Sequence, residues 1–236
     1  MVNKIGLFVY DFPHTKSNRG MQLIKTYFSE QVEVFAAPKV ELNHKKSKHR
    51  VSVKDTPTLH PVDIAKSYGW KYHSSAHNTK KIEEVITKNK LQIGIILGAR
   101  ILSNDVISSF EKGIINFHPG LLPENRGLDN IKWAIYDNIQ QGVTTHFINK
   151  FVDAGEIIYR EIIDVQQEDT FFDINQKLLD KQFDHLLRLL RSNFETEDLI
   201  KVSTSIKPRT TVSENIDEII MSKFEEYKNS YESDIN

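Results

Sequence analysis

Leu91-Gln-Ile-Gly-Ile-Ile-Leu97 is a near-continuous apolar run of strand length, and Gly113-Ile-Ile-Asn-Phe117 is a second one sixteen residues on. Strands that read this way are buried on both faces, which happens when a parallel sheet is covered by helices on each side. Between the two runs, Ser103 is placed to cap a helix through Phe110. Upstream, the same alternation continues. Lys4–Tyr10 reads as a first buried strand ended by Asp11-Phe-Pro13, and the polar run to Gly20 leads into a helix from about Met21 to Ser29. Gln31–Ala36 is a second strand, Pro61–Tyr68 a helix with Gly69 at its C-terminus, and Trp70–His73 a short strand. A helix capped by Asn78 or Thr79 then presents Ile82, Val85 and Ile86 on one face. Helix and strand therefore alternate from residue 4 to 117. The expected fold class is α/β, a Rossmann-like open twisted sheet with flanking helices and right-handed crossovers.

Beyond residue 117 the pattern changes. After a helical patch over Asn130–Tyr136, Gly142–Asn149 and Glu156–Ile163 read as an antiparallel hairpin at the far side of the sheet, turned at Asp153-Ala-Gly155. Thr170–Asn193 carries apolar residues at helical spacing and is expected to pack back on the sheet as one long helix. A final helix is placed near Ile216–Tyr227. Residues 1–193 are read as the catalytic domain. Residues 194–236 are read as a short extension, part of the same globule or of a dimer interface, with Ile216, Ile219, Ile220 and Phe224 as apolar positions needing cover.

The chain has 236 residues, 39% hydrophobic, and a formal net charge of −1. That is enough for one sizeable core, and it supplies no general basic surface for nucleic acid. Without cysteine, thiol catalysis, disulfides and Cys-based metal sites are excluded. The apolar segment Ile5–Tyr10 is too short for a signal sequence or a membrane span, so a soluble, unprocessed, cytoplasmic protein is expected. The run Asn43-His-Lys-Lys-Ser-Lys-His-Arg50 is read as loop, with His44 and His49 solvated. His73 and His77 lack the carboxylate company a metal site wants, and no metal is expected.

Asn116 and His118, two apart on a strand, leave it on one side, which puts an amide donor beside a base. Ligands in open α/β sheets bind beyond the carboxyl ends of the strands, where this pair sits. With Asp153 the set offers base, oxyanion donor and orienting carboxylate for an amine attacking a carbonyl. The alternative stays open that Asn-x-His is an Asx turn with a surface histidine, and Asp153-Ala-Gly155 an ordinary turn.

Asn116-Phe-His-Pro-Gly-Leu-Leu-Pro-Glu-Asn-Arg-Gly127 resembles the Asn-x-His-x-x-Leu-Leu-Pro signature of the 10-formyltetrahydrofolate-dependent formyltransferase family. Trp133-Ala-Ile135, Gly142-Val-Thr-Thr145, Val152-Asp-Ala-Gly155 and Gly98-Ala-Arg-Ile-Leu-Ser103 are similar to further family segments in order. The resemblance implies formyl transfer to a primary amine, with His118 as base, Asn116 as oxyanion donor and Asp153 orienting His118. It implies a folate pocket of Ala99, Arg100, Ile101 and Leu102 from one loop and Ile148, Asn149, Lys150 and Asp153 from another. Core packing for Ile101 and Leu102, and a surface charge for Arg100, are the competing readings.

Within the family, members acting on glycinamide ribonucleotide carry a glycine-rich phosphate loop where this chain has Tyr10-Asp-Phe-Pro-His14. Those acting on methionyl-tRNA carry an extra domain and a basic surface. The resemblance therefore points to nucleotide-linked sugar N-formyltransferases, which share a tail segment like Pro208-Arg-Thr210. The implied acceptor is dTDP-4-amino-4,6-dideoxyglucose, for surface polysaccharide biosynthesis, and the implied assembly a homodimer. A phosphoribosylglycinamide formyltransferase-like enzyme, hydrolysis of the formyl-folate itself, and a non-catalytic folate or nucleotide-sugar binding module are the alternatives. Tyr10, His73, Asn78, Pro119, Asn125 and Arg126 are candidate sugar-nucleotide contacts, against plain loop or turn roles. Where several relatives have Pro, this chain has Asn130, and it or Asp129 is expected to cap the following helix through a side-chain acceptor.

Overall fold

The computed structural model describes residues 1–41, 58–203 and 205–231, so the basic run with His44 and His49 lies outside the described residues. Seven strands form one sheet in the order β3-β2-β1-β4-β5-β6-β7. β1 (Lys4–Tyr10), β2 (Gln31–Ala37), β3 (Lys71–Ser74), β4 (Ile93–Ile96) and β5 (Ile114–His118) are parallel, and β6 (Gly142–Phe147) and β7 (Ile157–Ile162) run antiparallel at one edge. The chain order reverses direction between β1 and β4, which opens a crevice at their carboxyl ends. Alternation along the strands divides the core: Leu7 and Val9 face one apolar layer, Phe8 the other.

The first layer is closed by α1 (Thr15–Tyr27), α2 (Pro61–Ser67) and α6 (Phe171–Arg191), through Met21, Ile24, Ile64, Leu186 and Leu189. The second is closed by α3 (Lys80–Asn89) and α4 (Asn104–Ser108), through Ile82, Ile86 and Val106. A third apolar cluster joins α5 (Asn130–Tyr136), α6 and α7 (Glu214–Tyr231) through Trp133, Leu178, Ile220 and Phe224. Inside the interface of α5 and α7, the buried Lys132 ammonium donates to Asp217. No helix among the described residues is long and apolar enough to cross a membrane.

Four expectations are corrected. α1 begins at Thr15, because the His14 imidazole caps it by accepting from Ser17 N. Gly20, read as the end of a loop, lets this helix lie against β4: a Cβ there would meet Leu97 Cδ2 at 2.5 Å. The connection between β6 and β7 is no tight turn but a loop over residues 148–156. It is folded by Asn149 Nδ2 donating to Ala154 O and Asn149 Oδ1 accepting from Phe151 N. Neither Asp129 nor Asn130 caps α5 by side chain; Asp129 Oδ2 accepts from Val212 N instead. Of the apolar positions on α7, Ile220 and Phe224 are buried and Ile216 packs against the same cluster, leaving Ile219 exposed.

Candidate active site

β5 delivers Asn116 and His118 to one face while Phe117 between them enters the core on the other. Across the ladder from Asn116 stands His146 of β6, and from His118, Thr144. Thr144 Oγ1 donates to Gly120 O at 2.8 Å and accepts from Leu122 N at 3.0 Å, which pins the turn that follows His118. The ring of His118 is buried, and its Nε2 lies 2.7 Å from Asn125 O. A carbonyl oxygen only accepts, so Nε2 carries the proton and Nδ1 of the neutral ring holds the lone pair. That Nδ1 faces Asp153 Oδ1 at 3.6 Å.

Asp153 is set by its own backbone and by its neighbours. It sits in the left-handed region with φ 46°, a conformation that costs an L-residue on the order of 1 kcal/mol. Its Oδ2 accepts from Gly127 N at 3.0 Å. Arg126 donates from Nε to Val152 O at 3.0 Å and from an Nη to Ile206 O, tying the carboxylate's loop to the tail. Gly155 is pressed against Phe147, where a Cβ would fall 1.6 Å from Phe147 O.

The segment 206–212 forms a strap over the His118 loop. Arg209 N donates to Arg126 O at 2.8 Å, Leu128 N to Arg209 O at 3.0 Å, and Trp133 Nε1 to Thr210 O at 2.7 Å. The Arg209 guanidinium lies over the Trp133 ring and pairs with Asp137 at 2.7 Å.

The other predicted residues divide. Leu102 is buried with Phe8 and Phe110, and Ala99 and Ile148 pack against the same cluster, so the two loops expected to line a folate pocket do meet. Ile101 is 74% exposed. Asn78, itself exposed, clamps this loop, donating to Ile101 O at 2.9 Å and accepting from Ser103 N at 2.8 Å, which commits both ends of its amide within the protein. Arg100 donates to Pro38 O at 3.3 Å, and Lys150 lies over the Phe151 ring. Tyr10 donates to Ala99 O at 3.0 Å at the crevice, and Pro119 lies next to His118 at its rim. His73 is not brought to the cluster: its Nε2 pairs with the fully buried Glu33 at 2.7 Å, on a strand four places from β5, ~19 Å at ordinary strand spacing. The side chains of Asn125 and Arg126 are spent inside the protein, on Asn130 O and on Val152 and Ile206.

Three residues of the site were not anticipated. His146 places Nε2 3.4 Å from Asn116 Nδ2 and 3.8 Å from Asp153 Oδ1. Burial, with the charge on His118 adding, holds its pKa down to about 4. The alternation of Gly142–Phe147 against β5 was the signal that could have found it. Asn130 Nδ2 reaches Asn125 O at 3.0 Å and lies 3.1 Å from His118 Nε2. Lys16 donates to Phe117 O at 3.0 Å, and burial lowers its ammonium to about 7. Among the described residues no group of three or more His, Asp or Glu is placed to hold a metal ion.

The arrangement can take a proton at His118 Nδ1, stabilise the resulting imidazolium with Asp153, and present the Asn116 amide to a developing oxyanion. The family model described as Formyl transferase matches residues 16–190. A methionyl-tRNA formyltransferase of Fusobacterium nucleatum is 32% identical over 110 residues, 46% of this chain and 36% of that protein. The chain spans between 25% and 44% of the length of the curated relatives it matches first. Among solved structures, a phosphoribosylglycinamide formyltransferase from Anaplasma phagocytophilum superposes with a TM-score of 0.63 at 18% identity, covering 88% of this chain and 98% of that one. The formyltransferase PseJ from Anoxybacillus kamchatkensis superposes with a TM-score of 0.53 at 15% identity, covering 92% and 90%.

Proposed function

The chain belongs to the formyl transferase family, and from that premise we propose that it moves a formyl group from 10-formyltetrahydrofolate to the primary amine of a nucleotide-linked amino sugar. The observation that carries the chemistry is the placement of the buried His118 ring between Asn125 O and Asp153. With Nε2–H committed to Asn125 O, the basic nitrogen faces Asp153 at 3.6 Å. His118 Nδ1 takes the proton that the attacking amine sheds and returns it to the departing nitrogen of the donor. Asn116 donates to the oxyanion formed in between, and Asp153 favours the transient imidazolium. Folate would lie along 99–102 and 148–150, with Ile101 as the exposed apolar contact.

The sugar acceptor is supported by what occupies the crevice. Between Gly6 and Gly20 there is no glycine, and the first turn of α1 is capped by His14, so no glycine-rich cradle for a ribonucleotide phosphate follows β1. The structure of PseJ contains UDP-4,6-dideoxy-4-formamido-L-AltNAc and tetrahydrofolate, an acceptor of the class proposed here. The preference for dTDP-4-amino-4,6-dideoxyglucose rests on sequence resemblance. A homodimer draws less support from α7 than the sequence suggested, since most of its apolar face is already covered.

The test offers 10-formyltetrahydrofolate with a panel of dTDP-, UDP- and GDP-linked amino sugars, with glycinamide ribonucleotide, and with no amine. Formylated sugar nucleotide is expected. Formylated glycinamide ribonucleotide, or formate released with no amine present, would replace this reading with the ribonucleotide enzyme or the hydrolase.

A further inference from the structure

Asn116 is useful as an oxyanion donor only if its NH2, and not its carbonyl, faces the reaction. Nothing in a free asparagine enforces that choice, because the amide flips end for end at little steric cost. His146 stands opposite it in the ladder and makes two contacts that settle the matter chemically. Its Nδ1 lies 3.0 Å from Phe147 O. That carbonyl only accepts, so the proton of the neutral ring is on Nδ1 and the lone pair is on Nε2. Nε2 lies 3.4 Å from the amide end of Asn116, and an acceptor there requires a donor. One amide hydrogen of Asn116 is thereby assigned to His146, leaving the other for an incoming oxyanion.

We propose that His146 is a positioning residue that acts as a neutral hydrogen-bond acceptor, fixing the flip state of the Asn116 amide so that it donates to the tetrahedral oxyanion. The inference rests on the reading of Asn116 as that donor. The titratable groups facing His146 are His118 from β5 and Asp153 from the 148–156 loop. A charged His146 would donate to Asp153 and compete with His118 for it. Full burial of the His146 ring and the imidazolium that forms on His118 both oppose that charge. Two imidazoles beside one carboxylate are thus given different tasks: His118 cycles its proton and His146 keeps one.

The test has a spectroscopic arm and a kinetic arm. In protein labelled with 15N-histidine, long-range proton–nitrogen correlation should show His146 neutral at pH 7 with the proton on Nδ1. A proton on Nε2, or on both nitrogens, would overturn the proposal. In the kinetic arm, His146→Leu should lower kcat about tenfold with KM little changed, the worth of one neutral hydrogen bond. His146→Gln, whose Oε1 can accept, should recover part of the loss. In an Asn116→Ala background the His146→Leu change should cost nothing further, and an equal loss in both backgrounds would mean that His146 does not act through Asn116. If no acceptor amine is turned over, the functional reading fails while the ring's protonation state still decides this one.

Discussion

Replacing Asp153 by Asn isolates the charge from the scaffold. The Oδ2 contact with Gly127 N can be kept by the amide oxygen of Asn, and the shape is unchanged. What is lost is a carboxylate 3.6 Å from the nitrogen that becomes charged. At that distance and an effective dielectric of about 20, the pair is worth roughly 4 to 5 kcal/mol. If about half of the proton has arrived on His118 at the transition state, the barrier rises by roughly 2 kcal/mol, a loss in kcat of about 30- to 50-fold. KM for both substrates should change by less than about threefold, because the term appears only as charge develops. The assay is initial-rate formylation of the sugar nucleotide with the donor saturating, accompanied by a thermal melt. The melting temperature should stay near that of the parent protein. Asp153→Ala, which also strips the acceptor from Gly127 N, should lose both activity and several degrees of stability. An Asp153→Asn protein with less than a threefold loss in kcat would refute the placement of positive charge at His118 Nδ1.

Three further outcomes are expected. His14, His146 and His185 are each held by burial at a pKa of about 4, so between pH 4 and 6.5 the unfolded chain binds up to about three more protons than the native one at these sites. Stability must then fall as the pH drops through that window, which urea titrations at pH 7, 6 and 5 would measure; a flat profile would contradict the burial of these rings. Lys16 acts with the same sign in a higher window, since its folded pKa of about 7 lies below its ordinary value: the unfolded chain binds the extra proton between pH 7 and 10, stability rises across that window, and the rise should vanish in Lys16→Met. Lys132→Met leaves Asp217 without the ammonium that pairs with it at the interface of α5 and α7, and should cost on the order of 3 to 5 kcal/mol by denaturant unfolding, much of it regained in the double variant Lys132→Met, Asp217→Leu.

The sheet was legible because its strands are short apolar runs separated by capped, amphipathic helices, and local pattern is enough to find those. The pair Asn116 and His118 was legible for the same reason, as two positions of one strand. What failed has two causes: an unusual local cap in one case, and in the others a deciding partner far away in sequence. The start of α1 depends on an imidazole cap, outside the usual Ser, Thr, Asp and Asn. Asp129 looked like a cap for α5 and instead serves Val212. His73 looked like a residue of the rim until the order of strands placed it at the sheet's far edge beside Glu33. His146 lay one residue past a recognised segment, and only the register of β5 with β6 gives it a partner.

The strap at 206–212 bears on how this chain can be divided. The family match ends at residue 190, and a chain stopped at 193 would keep all seven strands, His118 and Asp153. It would lack Ile206, Arg209, Thr210 and Val212, through which the His118 loop and the Asp153 loop are moored. The sheet can therefore assemble from the first 193 residues while the loops that carry His118 and Asp153 stay unmoored until the strap is in place. The stretch matched by the family is shorter than the stretch that moors these two loops, so truncation at the family boundary should keep the sheet and loosen the placement of His118 against Asp153.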